Sequence, residues 1–353
     1  MRLMKNWLKI SLIMIAVGAA LFALSFTLGA RGGYAYFGNG GLRIVPTGDA
    51  ILVQEMDLLA FDTVQITTRL SNIEFIESDR YGLEIRLPPY ADQPNWDITN
   101  GKLTVEIPTV RNTFTIMNLD VQSYYVKIFF PGRAAQEGSG ILDTIFRSVD
   151  LSTTSGDIRI AALMSDNLIL KTASGSINVN LQHYKQAVAK TTSGDITFLG
   201  SGDNASLVLD VSSGNITADA SGCVDVDIKT TSGSIKLIGD TLANALLKTA
   251  TGSGNIIVNV SAWQSLTAET RNGDVRITGE PYGATNVDAR SGSVTVILRG
   301  DERDFSYEIS TRSGSIHFGG IRMGNIARNV SNYSEKSINI ETSSGNVRVD
   351  FNN

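Results

Sequence analysis

Residues Thr191-Thr192-Ser193-Gly194-Asp195-Ile196-Thr197-Phe198 and Thr230-Thr231-Ser232-Gly233-Ser234-Ile235-Lys236-Leu237 are two copies of one phrase, Thr-x-Ser-Gly-(Asp/Ser/Asn)-(Ile/Val). Ten copies are centred on Gly156, Gly175, Gly194, Gly214, Gly233, Gly254, Gly273, Gly292, Gly314 and Gly345. Their spacings run from 19 to 22 residues until the last, which is 31. A period of this size, held from 156 to 345, means one supersecondary unit stacked on copies of itself.

The unit is strand. Two places after each glycine stand Ile158, Ile177, Ile196, Ile216, Ile235, Ile256, Val275, Val294, Ile316 and Val347, and four places after stand further apolar residues, with polar ones between. The same alternation precedes the turn, at Leu151, Leu170, Ala189, Leu209 and Ile228, with Leu247 filling the place in the slipped Gly254 copy. Period two with β-branched residues on the inward side describes a half-buried pleated strand. Stacking at about 4.8 Å pairs each strand with its equivalents above and below. The chain is therefore expected to be all-β, a right-handed parallel β-helix (β-solenoid) of about 19–21-residue rungs, since parallel crossovers are nearly always right-handed.

The phrase itself reads as a corner. Glycine tolerates positive φ, and Ser, Asn and Asp side chains bond nearby backbone. The Thr column, three places before the glycine, is expected to form a hydroxyl ladder between rungs.

Ile10 to Ala30 carries no charge over twenty-one residues and follows Arg2, Lys5, Trp7 and Lys9. That length spans a bilayer, and the basic excess before it predicts a cytoplasmic N-terminus (1–9), a single-pass anchor at 10–30 and an extracytoplasmic C-terminal solenoid in the cell envelope. A cleaved signal peptide is the rival, disfavoured by the length of the run and by bulky Leu28. Residues 31–41 are glycine-rich and read as a linker, 42–149 as irregular first rungs and a cap, and 150–353 as regular repeats. A net charge of -5 gives no reason to expect nucleic acid. The one cysteine, Cys223, excludes an intramolecular disulfide framework and reads as a small buried residue.

A charged start, one apolar span, a strand ending Phe129-Phe130-Pro131 and then serial Thr-x-Ser-Gly-x-Ile turns resemble the bacterial membrane-anchored extracytoplasmic β-strand-repeat family of unknown function, whose members are customarily named adhesins. The resemblance covers about residues 60 to 353. It implies a surface-exposed, membrane-tethered β-helix and carries no catalytic residues with it.

Function is accordingly expected to be non-enzymatic: cell-surface interaction of adhesin type, or envelope scaffolding. The alternative is a polysaccharide-acting lyase or hydrolase, for which Asp203, Asp210, Asp225, Asp227, Lys190 and Lys229 are the candidates. Aligned on the glycines, Lys190, Asp210 and Lys229 share one outward column and read instead as a surface ion ladder. His183, in an expected inter-strand loop, and His317, on an outward strand position, make no metal cluster with each other, and no cofactor is expected. Asp157, Asp195 and Asp274 in the turn column read as turn caps, with calcium as the weaker reading.

Arg271, Arg290 and Arg312 occupy one column, two places before three successive glycines, and are expected to line up. Internal pairing with Glu269, Asp288 and Asp274 is one account. An anionic envelope polymer or surface glycan bridging the guanidinium groups is the other. Gly319 to Lys336 fills the long final gap, as a cover over one rung or as a binding loop, and the last strand, ending at Asn353, is expected to offer an edge for self-association.

Overall fold

The computed structural model describes residues 14, 15, 17, 18, 33–38, 41–46, 50–88, 91–107, 115–117, 124–132, 145–329 and 334–352. The expected membrane span lies almost wholly outside them, and among the described residues no helix is long and apolar enough to cross a membrane. The chain divides into two compact units: Met1–Ile51 with Leu87–Asp92 and Thr109–Ser123, and Leu52–Arg86 with Gln93–Pro108 and Tyr124–Asn353.

In the first unit, Gly33–Gly38 pairs antiparallel with Gly41–Pro46 and with Thr115–Met117. The stretch expected as a linker thus supplies a strand, because Tyr34, Tyr36 and Phe37 between its glycines are strong strand formers.

The second unit is a stack of parallel rungs, each a strand, a Ser-Gly corner and a second strand. Ile177 pairs with Ile196, Ile196 with Ile216, Ile216 with Ile235, Ile235 with Ile256 and Ile256 with Val275. Every residue of that ladder is at most 1% exposed. The aliphatic core is plugged by aromatic rings at both ends. Phe75, Phe130 and Phe146 lie 5.6 to 6.2 Å apart at one end, and Phe318 and Phe351 lie 5.2 Å apart at the other.

Each element of the repeated phrase has a separate task in joining rungs. Thr172, Thr191, Thr230 and Thr251 donate their hydroxyls to the carbonyls of Gly156, Gly175, Gly214 and Gly233 on the preceding rung, at 2.9 to 3.0 Å. The expected hydroxyl-to-hydroxyl ladder is therefore a hydroxyl-to-carbonyl one. The residue after the glycine accepts from the next rung: Asp195 Oδ1 takes the Asn215 amide at 2.7 Å, and Asn215 Oδ1 takes the Ser234 amide at 2.9 Å. Asp157 and Asp274 cap the Ser176 and Ser293 amides in the same way. The glycine is sterically required as well. At Gly233 φ is +148°, and a Cβ would sit 1.9 Å from the Gly214 carbonyl oxygen.

At both ends, order in space departs from order in sequence. Thr63–Thr67 lies between the 148–152 strand and Lys102–Glu106, parallel to both. Ser71 occupies the glycine place of that rung, with the Thr153 hydroxyl donating to its carbonyl at 3.2 Å and the Asp157 amide donating to Asn72 Oδ1 at 2.9 Å. At the far end, Lys336–Ser344 is held between the Val275–Ser291 strand and Phe305–Ser313, and Val347–Asn352 between Val294–Arg299 and Ile316–Phe318. The Gly345 rung is thus interior and the Gly314 rung terminal. The expectation of an open edge at the last strand is corrected over Val347–Val349, which are paired on both sides. The long gap supplies the cover. After Gly319 and Gly320, both at positive φ, the chain reverses, and Ile321–Met323 and Ile326–Asn329 retrace the terminal rung antiparallel.

Candidate functional site

The face formed by the strands before the corner carries the chemistry proposed from sequence. Inward and outward residues alternate there, so Glu269 and Arg271 are exposed while Ala268 and Thr270 are buried. Asp210 Oδ2 lies 3.7 Å from Lys190 Nζ and 3.6 Å from Lys229 Nζ, bridging two neighbouring rungs. These groups are a third to a half exposed, where each pair contributes about 0–1 kcal/mol. Of the other catalytic candidates, Asp225 and Asp227 lie two places apart on one strand, and Asp227 stands in register with Lys248. The acids are spread along the sheet as ladder members. Among the described residues, no group of three or more His, Cys, Asp or Glu is placed to hold a metal ion.

The neighbouring rung breaks the charge pattern. In the two outward columns nearest the corner it carries Ala250 and Gly252, which stand next to Lys229 and Thr231 on one side and Glu269 and Arg271 on the other. Small side chains between long ones leave a groove across the face, of about 440 Å³, lined also by Asp210, Asp288 and Arg290. A second groove of about 440 Å³ lies further along the same face, lined by Glu269, Asp288, Glu341, Glu308, Asn286 and Asn339.

Arg271 and Arg290 sit at equivalent places on adjacent rungs, flanked by the pairs Thr270–Ala289 and Asn272–Ser291. Arg312 does not join them. The interior Gly345 rung puts Ser343 between, since Ser344 pairs with both Ser291 and Ser313. The expected three-membered ladder is two adjacent arginines and a third displaced by one rung. None of the three makes an ion pair with a described carboxylate. Glu269, Asp288 and Glu341 stack on three successive rungs, beside the arginine column. Sequence reading assigned the arginines but missed this acidic column's continuity, because Glu341 belongs to the rung that is last in sequence and interior in space.

The histidines lie elsewhere. His183 is within the strand Ile177–Ser193, opposite Met164, and not in a loop. His317 sits between Arg348 and Arg322 at the capped end. Cys223 is buried against Tyr184, whose hydroxyl lies 3.0 Å from the sulfur. Burial pushes the thiol up to about 11, and burial also raises the Tyr184 phenol above its ordinary value.

A family model, Toastrack DUF4097, matches residues 61–244 and again 205–350. The chain belongs to the Toastrack DUF4097 family. The two matches together run from residue 61 to residue 350 and take in the Ser71 rung and all ten glycine corners. Among solved structures, the chain is similar to a candidate adhesin of Parabacteroides distasonis ATCC 8503, at 10% identity over 86% of this chain and 98% of that one, TM-score 0.44. It is similar also to a candidate lipid-binding protein of the same organism, at 12% identity over 85% and 97%, TM-score 0.40. A third is a candidate adhesin of Bacteroides fragilis NCTC 9343, at 12% identity over 85% and 97%, TM-score 0.35. No curated protein matches the chain in sequence.

Proposed function

We propose that this Toastrack chain is a non-enzymatic interaction module of the bacterial envelope, a right-handed solenoid held outside the cell by an anchor at 10–30, and that its groove face recognises an acidic envelope polymer or surface glycan. The observation that carries the reading is the pair Arg271 and Arg290, side by side without a described carboxylate partner, on the wall of a groove whose floor is Ala250 and Gly252. Guanidinium groups at rung spacing offer forked donors to successive acidic groups of a polymer, and a floor without long side chains lets such a chain approach the sheet. The apolar run 10–30, with its basic flank, supports presentation from a membrane.

The test is binding of the full chain to isolated envelope fractions and to poly(glycerol phosphate) at low and high salt, with R271S/R290S and R312S beside the wild type. Salt-sensitive binding that falls at least tenfold in R271S/R290S, and less in R312S, is the expected result. Binding unchanged in R271S/R290S overturns the reading.

A further inference from the structure

The groove face bears two parallel stripes of opposite sign. One column holds Glu269, Asp288, Glu341 and Ser310 in spatial order, and the column two places on holds Arg271, Arg290, Ser343 and Arg312. Along each stripe, like charges recur at rung spacing, an arrangement that is unfavourable unless opposite charges offset it. Neither Arg271 nor Arg290 closes an ion pair with the acids beside it, so the stripes are not neutralised within the chain.

We infer that this face pairs with the same face of a second copy of the chain, in a parallel two-fold dimer. Two closed face-to-face arrangements are available to a flat striped surface. With the axis across the rungs, the rods run antiparallel and each acidic column lies over its own copy, acid on acid. With the axis along the stack, the rods run parallel and left and right exchange, which brings each acidic column over the partner's basic column, rung by rung. Glu269 then faces the partner's Arg271 and Asp288 the partner's Arg290. Glu341 faces Ser343 of the partner subunit, one rung from a second guanidinium, that of the partner's Arg312. Charge complementarity selects the parallel form, which is also the one open to two chains rising from a common surface.

The area suffices. Seven rungs from the Gly214 rung to the terminal one, at about 4.8 Å each, and seven residues of strand at about 3.3 Å give a face of about 34 by 23 Å. That is about 780 Å² per partner, close to the about 800 Å² that specific interfaces bury on each side. Ala250 faces the partner's Gly252 and Gly252 the partner's Ala250, so the notch stays open between the sheets. Self-pairing engages the same Arg271 and Arg290 that the polymer reading uses, so polymer and second copy are alternative occupants of this face.

Sedimentation velocity of the full chain in detergent, at low and high salt, supplies the test. Wild type is expected to dimerise at low salt. E269R/D288R and R271E/R290E should each lose self-association at least tenfold and recover it when mixed with each other. The fourfold exchange E269R/R271E/D288R/R290E should dimerise like wild type, because reversing both stripes preserves their complementarity in the parallel form. A monomeric wild type, an exchange variant that fails to dimerise, or single-stripe variants that dimerise undiminished would each overturn the inference. E269R/D288R keeps both arginines, so its polymer binding separates failure of self-pairing from failure of polymer recognition.

Discussion

The hydroxyl of Thr230 donates to the carbonyl of Gly214 on the preceding rung, 3.0 Å away, while Thr68, which occupies the same column on the Ser71 rung, has a buried hydroxyl with no partner among the described residues. One substitution should therefore act oppositely at the two sites. Thr230→Val strands a carbonyl inside the turn and should cost about 1–3 kcal/mol, whereas Thr68→Val removes an unsatisfied group and should leave stability unchanged or raise it. Chemical denaturation of both variants checks the contrast.

Gly233→Ala should be severe. Positive φ costs about 1–3 kcal/mol in itself, and the methyl collides with the Gly214 carbonyl, which adds about 1–3 kcal/mol. Gly324→Ala, where a Cβ meets nothing within 4 Å, should be tolerated. Thermal unfolding of the pair reads the difference, and equal midpoints would contradict it.

Amide exchange should be as slow across Ile338–Thr342 as across the middle rungs, despite nearness to the C-terminus, because that strand is hydrogen-bonded to neighbours on both edges. Fast exchange there, with slow exchange at Phe305–Ser313, would place the rungs in sequence order instead.

Cys223 gives an alkaline dependence of known sign. Its folded value, about 11, lies above the ordinary thiol value of 9.0, so the stabilisation is complete below pH 9 and is lost as pH rises through 11. Cys223→Ala should flatten the first part of that fall, measured by urea unfolding between pH 8 and 11. Tyr184, also raised, maintains the decline at the upper end.

Asp210→Asn breaks both links to Lys190 and Lys229 and should shift stability by no more than about 1 kcal/mol, because all three side chains are partly solvated. A larger loss in a denaturant series would show that the ladder is cooperative.

The regular rungs were legible because three independent signals coincide in them: period-two apolar residues, a glycine that nothing else can replace, and side chains that bond the next turn. The Ser71 rung was not legible as a repeat, since Thr68-Arg69-Leu70-Ser71-Asn72-Ile73 keeps the threonine, the Asx and the isoleucine but lacks the glycine. With Lys102–Glu106 and Tyr125–Pro131 on its other side in place of a regular rung, that glycine is dispensable. Nor does a single chain's pattern reveal spatial order. Arg312 fits its column as well as Arg290 does, and only the register of Ser344 with both Ser291 and Ser313 shows a rung between them. The groove was missed because its signal is two small residues, Ala250 and Gly252, in two neighbouring columns scanned for charged ones.

The exchange of order at both ends limits how such a protein lengthens during descent. A duplicated copy of the phrase appended after Asn353 would find its docking edge already occupied, and one placed before Thr63 would meet the same obstacle. New copies fit only among the consecutive rungs between Gly156 and Gly292, so the two braided ends would be inherited as fixed bookends while the interior count varies.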